Sequence, residues 1–140
     1  MNTKIKENKK IKIVDFGEEL ELIPELVLYV VSDFMGSEQH NIGLNLYCED
    51  EGELELYATL TTSFGEFIGQ KNCTYIDTNN CSFANQLLGQ GIAIDTGFTK
   101  HSGFCIYPLW KFNEEFLKEV DEKLYTLYSD KYDEYMESMM

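Results

Sequence analysis

The 140-residue chain lacks arginine, and its 11 cationic residues are all lysines. Arginine is the residue suited to bidentate phosphate recognition, so its absence removes the usual means of gripping a nucleotide or a nucleic-acid backbone. Five lysines lie within the first twelve residues; from residue 13 onward six lysines stand against 24 acidic residues, a net charge of −18. Because nucleic acid binds to basic faces, direct nucleic-acid binding is excluded.

The chain also lacks a long apolar run. The longest, residues 26–31, has the length of a strand and falls far short of the ~20 residues that cross a bilayer, so no membrane partner is expected. No apolar segment follows the lysine-rich start, which argues against a signal peptide and favours a cytoplasmic protein. The cysteines contain no Cys-x-x-Cys pair, so buried free thiols are predicted at Cys48, Cys73, Cys81 and Cys105.

The remaining pattern predicts an α+β fold with an antiparallel β-sheet, a meander of about five strands. Residues 26–31 are rich in β-branched side chains and predict a central strand. Apolar and polar residues alternate over 42–48 and 54–60, on either side of an acidic turn at 49–52, which predicts a hairpin. Residues 73–78, 91–97 and 103–112 are predicted to be extended.

Two helices complete the predicted fold. A short one follows the capping residues 79–82 and ends at Gly89. A long C-terminal amphipathic helix begins after the N-cap Asn113 and carries one apolar stripe: Phe116, Val120, Leu124, Leu127, Tyr128 and Tyr135. Residues 1–12 are predicted to be a flexible lysine-rich arm, and residues 13–140 a single acidic domain.

Clustered carboxylates are the most unusual feature, and they are the candidate partner-binding residues. A globule of this size is roughly 30 Å wide, and B-DNA of that length carries about 17 backbone charges, close to the excess of acids. The clusters could therefore mimic DNA toward a basic protein surface, or could simply keep the protein soluble. The candidates are Glu49, Asp50, Glu51, Glu53 and Glu55 on the hairpin, and Glu115, Glu119, Glu122, Asp130, Asp133 and Glu134 on the final helix.

Other motifs leave alternatives open. Asp77, Asn79 and Asn80 could form a turn with a helix cap, or a polar pocket together with Ser102. Asp95-Thr96-Gly97 matches the aspartic-protease triplet, but a single copy is weak evidence because the chemistry needs two carboxylates.

Cys105 could be a nucleophile with His101 and Asp95, although four residues of extended chain separate His101 from the thiol by roughly 13 Å. A metal site would have to be assembled from the scattered residues His101, Cys73, Cys81 and Cys105. No catalytic residue, metal or cofactor is predicted.

Two blocks carry a family resemblance, Tyr75-Ile76-Asp77-Thr78-Asn79-Asn80 and the segment 102–112, together with Ala84 and Thr96-Gly97. Over residues 75–112 the chain resembles domain-of-unknown-function family 4313, and residues 113–140 look like an extension. The resemblance implies a protein of plasmids, conjugative elements or phages of low-GC Gram-positive bacteria, and it implies no particular activity.

Together these features predict a non-enzymatic, acidic anti-defence inhibitor. The expected partner is a basic protein surface such as a CRISPR effector nuclease, whose nucleic-acid channel an anti-CRISPR protein would block by DNA mimicry. The alternatives are an antirestriction protein that binds a restriction enzyme, or an accessory protein of a mobile element that binds a small ligand or peptide in the Asp77–Asn80 and Ser102–Gly103 pocket. Whether the tyrosines of the final helix pack internally or form an interface stays open (Tyr125, Tyr128, Tyr132 and Tyr135).

Overall fold

The computed structural model describes residues 9–139 and contains two antiparallel four-stranded sheets and three helices. The first sheet has the order β1 (Ile11–Asp15), β2 (Glu18–Ser32), β3 (Glu38–Asp50), β4 (Glu53–Thr59). In the second sheet the order is β5, β6, β8, β7, with bounds Thr61–Thr62, Cys73–Ile76, Cys105–Phe112 and Ala93–Ser102 respectively. The helices are α1 (Asn85–Gly89), α2 (Glu114–Val120) and α3 (Glu122–Ser138).

The predicted α+β class is confirmed, but about five strands was too few, because the described chain forms eight strands in two sheets. β1 was missed because its lysines suggested an arm. Ile11 and Ile13 are buried and pair with Leu22 and Leu20, so this strand is amphipathic. The arm was predicted to end at residue 12, but β1 begins at Ile11, so the last two residues of the predicted arm belong to a strand. Residues 1–8 of that arm lie outside the described residues.

The predicted acidic hairpin is confirmed as β3 and β4, and a similar hairpin joins β1 to β2. Each has a two-residue turn in which both residues have positive φ: 52° and 81° at Phe16 and Gly17, 53° and 83° at Glu51 and Gly52. Turns of this kind match the right-handed twist of the flanking strands. The acidic tip of the β3–β4 hairpin is therefore a tight, defined turn.

The chain passes from the first sheet to the second at buried Leu60. Its N–H donates to Leu44 O (3.0 Å), and the Leu44 N–H donates to Thr61 Oγ1 (3.0 Å). The Tyr29 hydroxyl reaches the same Thr61 oxygen (2.8 Å) by crossing Gly43, where a Cβ would lie 2.5 Å from the tyrosine ring. Both sheets contribute to one apolar core, which includes Leu26, Leu46, Trp110, Phe112, Phe116 and Leu117.

The long C-terminal helix is confirmed, but it is preceded by a separate helix. Asn113 caps α2 as predicted, since its Oδ1 accepts the Phe116 N–H (3.1 Å). Asp121 then adopts extended backbone (φ −161°, ψ 93°), ends α2 and caps α3 by accepting the Leu124 N–H (3.1 Å). Asp is a favoured N-cap, which explains why the helix restarts at this residue.

Side chains of α1 cover the outer edge of β1. The Gln86 amide accepts the Val14 N–H (2.8 Å) and donates to Val14 O (2.7 Å), while Gln90 Nε2 donates to Lys12 O (2.6 Å). Unpaired backbone groups of an edge strand are a template for adding another strand. Here the two glutamines occupy those groups.

A buried asparagine attaches α3 to the second sheet. The Tyr125 hydroxyl donates to Asn72 Oδ1 (2.9 Å), and the Asn72 N–H donates to the Tyr128 hydroxyl (2.9 Å). The Asn72 carbonyl accepts the Phe112 N–H (2.8 Å). Asn72 has φ 67°, a left-handed conformation that asparagine tolerates better than most residues.

Replacing Asn72 should therefore separate two effects. Asn72→Ala leaves the buried Tyr125 hydroxyl without its acceptor and puts alanine, which tolerates the left-handed region less well than asparagine, at φ 67°, so we expect a loss of about 2–4 kcal/mol in unfolding free energy. Asn72→Gly removes only the side-chain acceptor and should lose roughly 1 kcal/mol less. Urea denaturation measures both. Equal losses would mean that the backbone conformation contributes nothing.

Candidate functional site

Five exposed carboxylates surround the β3–β4 turn, and we call them the tip carboxylates: Glu49, Asp50, Glu51, Glu53 and Glu55. Asp50 pairs directly with Glu53 across the hairpin, and Glu55 pairs with Cys48, so Asp50, Glu53 and Glu55 share one face. Within residues 9–139, no lysine forms an ion pair with any tip carboxylate. Like charges directly opposite each other destabilise a strand pair, so this arrangement works against the hairpin's own stability.

The predicted acidic residues of the final helix are also exposed, but two of them have lysine partners. Lys9 Nζ lies 2.8 Å from Glu119 Oε1, and Lys71 Nζ lies 2.9 Å from Asp133 Oδ1. Asp130, Asp133 and Glu134 lie at i, i+3 and i+4 and therefore share one side of α3. The others, Glu115, Glu119 and Glu122, lie on α2 and at the start of α3.

The two acidic sets do not form one surface. Glu134 lines a groove beside the turn between β2 and β3, whereas the tip carboxylates lie at the other end of β3. That strand has 13 residues, which corresponds to roughly 40 Å of extended chain. A single partner surface would have to be large to contact both sets, and the tip is the more compact of the two.

The tyrosines of α3 pack inside the protein. Tyr125 and Tyr128 are buried. Tyr132 and Tyr135 pack against Phe67, with ring centroids 5.9 Å and 4.9 Å away. The aromatic stripe therefore docks α3 onto the rest of the protein.

The Asp77–Asn80 segment forms a turn. Asp77 accepts the Asn80 N–H through Oδ1 (3.2 Å) and the Asn80 side-chain amide through Oδ2 (2.8 Å), and these bonds close the turn after β6. Asn79 is exposed, and Ser102 lies at the β7–β8 turn opposite Cys105. Four cavities of the described residues 9–139 have walls that include none of these four residues. The predicted pocket therefore gains no support from the geometry.

The Asp95-Thr96-Gly97 triplet lies in a bulge of β7. Asp95 Oδ1 accepts the Gly97 N–H (2.9 Å), and Thr96 Oγ1 accepts the Phe98 N–H (3.2 Å) while donating to Leu109 O (2.8 Å). The carboxylate and the hydroxyl therefore hold the bulge in place. They also occupy N–H groups at the outer strand of the second sheet.

The proposed thiol and metal sites are not assembled. Cys105 pairs with Ser102, and His101 pairs with Ile106, so Cys105 and His101 point to opposite faces of the sheet. Burial raises the pKa of the Cys73 thiol, and burial followed by the nearby Asp77 and Asp15 raises the pKa of Cys81 to about 11, which disfavours the reactive thiolate. Within residues 9–139, no three His, Cys, Asp or Glu side chains are grouped to hold a metal.

The structure reveals a polar cluster that the sequence patterns did not single out. The buried carboxylate of Asp15 accepts hydrogen bonds from the Tyr57 hydroxyl and from Ser82 Oγ (3.2 Å), which connects β1, β4 and the turn before α1. The hydrogen bond to Asp15, followed by burial, raises the pKa of Tyr57 to about 12. Ile11, Ile13 and Asp15 are alternate residues of one strand and therefore share a face. This alternation was the sequence signal that could have predicted a buried Asp15.

These observations define an α+β protein with an acidic β3–β4 hairpin. The model of a domain of unknown function, DUF4313, matches residues 28–132, and the chain belongs to this family. The predicted family is thus confirmed, while the prediction that residues 113–140 are an extension is wrong up to residue 132. No curated protein and no solved structure matches the chain. None of the helices within residues 9–139 has the length and apolar character needed to cross a bilayer.

Tyr57 provides a test of the buried cluster. Its pKa is raised from 10.0 to about 12, so its hydrogen bond to Asp15 should stabilise the fold below pH 10 and stop doing so as the pH rises through about 12. Tyrosinate absorbance is measured against pH for wild type and for Tyr57→Phe, and the difference between the two curves reports Tyr57. That difference should appear near pH 12, under conditions in which circular dichroism shows that the fold is native. Asp15→Asn should move that step toward pH 10. A wild-type step already near pH 10 would contradict the cluster.

Proposed function

We propose that this protein is a non-enzymatic, acidic inhibitor from a mobile genetic element, and that it is an anti-CRISPR protein. Its tip carboxylates enter the basic channel of a Cas nuclease and occupy the place of nucleic-acid phosphates. An antirestriction protein would use the same carboxylates against a restriction enzyme. A cytoplasmic location belongs to the same proposal, because these targets act there.

The observation that carries the proposal is the repulsive pair at the hairpin tip. Asp50 and Glu53 lie directly opposite each other and are exposed. Each such pair weakens a hairpin by about 0.2–1 kcal/mol. A cationic channel would relieve that repulsion. Binding would therefore be favoured at the place where two like charges lie opposite each other in the free protein.

The spacing of the tip carboxylates also suits a phosphate-binding channel. Glu53 and Glu55 are two residues apart on β4, which places their side chains on one face about 6.7 Å apart. Phosphates of one DNA strand rise about 3.4 Å per step along the helix axis and also rotate around it, so neighbouring phosphates are separated through space by a distance of the same order as this spacing. A two-stranded ribbon, with strands about 4.8 Å apart, is narrow enough to enter a channel built for a heteroduplex.

The net charge assists the encounter. From residue 13 onward six lysines stand against 24 acidic residues. Charge of one sign on a small protein accelerates association with an oppositely charged cleft, and the acceleration falls as salt rises. The inhibitor should therefore act most strongly at low ionic strength.

Cleavage assays with a panel of purified guide-loaded Cas nucleases and restriction enzymes test the proposal. Wild-type protein should block cleavage by one of them and elute with it from a sizing column. Glu51→Gln combined with Glu53→Gln should raise the inhibitory concentration about tenfold or more, because close charge pairs across an interface are strongly coupled.

The matched control removes two exposed carboxylates elsewhere, by Glu19→Gln with Glu137→Gln, and should inhibit like wild type. Equal weakening of both variants would indicate nonspecific attraction by the net charge. Full inhibition by the tip variant would show that the hairpin is not the mimic. Absence of inhibition across the panel would overturn the proposed function itself.

A further inference from the structure

A second surface lies at the far end of the protein from the tip carboxylates. The β2–β3 turn and the C-terminal end of α3 enclose an open groove of about 480 Å³. Met35 on the turn and Met139 after α3 form its apolar walls, and Glu38 and Glu134 lie at its rim. We call it the methionine groove. None of the tip carboxylates lines it.

The apolar part of the methionine groove is unusually open to solvent. Met35 is 73% exposed and Met139 is 53% exposed, and the neighbouring Phe34 is 82% exposed. Exposed apolar side chains that lie together mark interaction sites more often than isolated ones do. Methionine is flexible and polarisable, so a groove with methionine walls adapts to apolar side chains of different shapes.

The turn that presents Met35 is held rigidly. Asp33 Oδ1 accepts the Met35 N–H (2.9 Å) and the Ser37 N–H (2.7 Å), and Gly36 takes the positive φ (83°) that the turn requires. Proximity to the Asp33 carboxylate raises the pKa of the Tyr135 phenol of α3. The turn that carries Met35 is therefore held in one conformation, so little ordering of its backbone is needed on binding.

The charge around the methionine groove selects the partner. Glu38 and Glu134 are exposed, and the single lysine in the wall is Lys131. Asp33 Oδ1 is used within the turn and Asp33 is half-buried, whereas Glu38 and Glu134 are exposed to a partner. The two methionines lie beside the two exposed glutamates, and this arrangement is complementary to apolar side chains flanked by cations.

We propose that the methionine groove binds a cationic amphipathic helix of a partner protein. Apolar side chains at i and i+4 of that helix lie against Met35 and Met139, and its lysine or arginine side chains pair with Glu38 and Glu134. This is the helix-in-groove mode, in which one face of the helix supplies the anchors. The inference does not depend on the proposed function, because it uses a different surface.

Fluorescence anisotropy with two labelled peptides tests it at physiological ionic strength. One peptide of about 18 residues, or five turns, carries leucine and lysine with helical periodicity. Its isomer has the same composition, but its leucines do not share a helix face. The folded wild-type protein should bind the periodic peptide about tenfold more tightly, because only that peptide presents a continuous apolar face.

Variants locate the binding. Met35→Gln with Met139→Gln should abolish the preference for the periodic peptide, and both side chains are exposed, so the fold should be unaffected. The matched control, Ile94→Gln with Phe104→Gln, removes two exposed apolar residues from the β7–β8 hairpin and should keep the preference. Glu38→Gln with Glu134→Gln should weaken binding several-fold more than Glu51→Gln with Glu53→Gln, which removes the same charge from the tip.

Equal affinity for the two peptides would overturn the proposal, as would a preference that survives in the Met35→Gln, Met139→Gln variant. Sedimentation velocity tests whether a second copy of this chain occupies the methionine groove instead. If wild type self-associates and the Met35→Gln, Met139→Gln variant does not, a second copy fills the groove and the proposal is wrong. The tip variant separates the two proposals, because it should lose nuclease inhibition and retain the peptide preference.

Discussion

The position of α3 depends on the hydrogen bonds of one buried residue. Asn72 accepts from Tyr125 through its side chain, donates to Tyr128 through its N–H, and accepts from Phe112 through its carbonyl. These bonds connect the second sheet to the helix at a residue whose backbone is left-handed (φ 67°). Everything that α3 contributes, from its inward tyrosines to one wall of the methionine groove, follows from this attachment. The packing of Tyr132 and Tyr135 against Phe67 adds to this attachment.

Negative charge is the second constraint, and the fold distributes it unevenly. The described lysines neutralise acids locally, in five ion pairs that use Glu119, Glu21, Asp133, Glu66 and Glu114. None of these pairs lies at the β3–β4 tip. The tip carboxylates therefore repel one another with none of the described lysines paired to them, while lysines partly neutralise the acidic residues of the helices. The two proposed interaction surfaces differ accordingly: one depends on charge alone, and the other combines apolar contact with charge.

The sequence predicts the parts of this fold that depend on local signals. Alternation over 42–60 and the cap at Asn113 are read correctly because neighbours in the chain determine them. β1 was hidden by its lysines, and the restart at Asp121 was hidden because the apolar stripe continues across it. The cluster of Asp15, Tyr57 and Ser82 and the methionine groove join residues distant in sequence, and tertiary packing alone brings such residues together. The acidic candidates were predicted individually, but their separation to opposite ends of β3 was not.

The glutamines that cover β1 have a consequence for a protein so strongly charged. Mutual repulsion keeps acidic proteins apart in solution, but that protection is lost once a basic partner neutralises the surface. Gln86 offers Val14 the same donor and acceptor that a neighbouring peptide group would offer, so α1 serves the sheet as a terminal strand would. The bulge of β7 similarly occupies the N–H groups of Gly97 and Phe98. Backbone groups at the outer edges of β1 and β7 are thus already bonded within the protein, and a charge-neutral complex would keep these bonds.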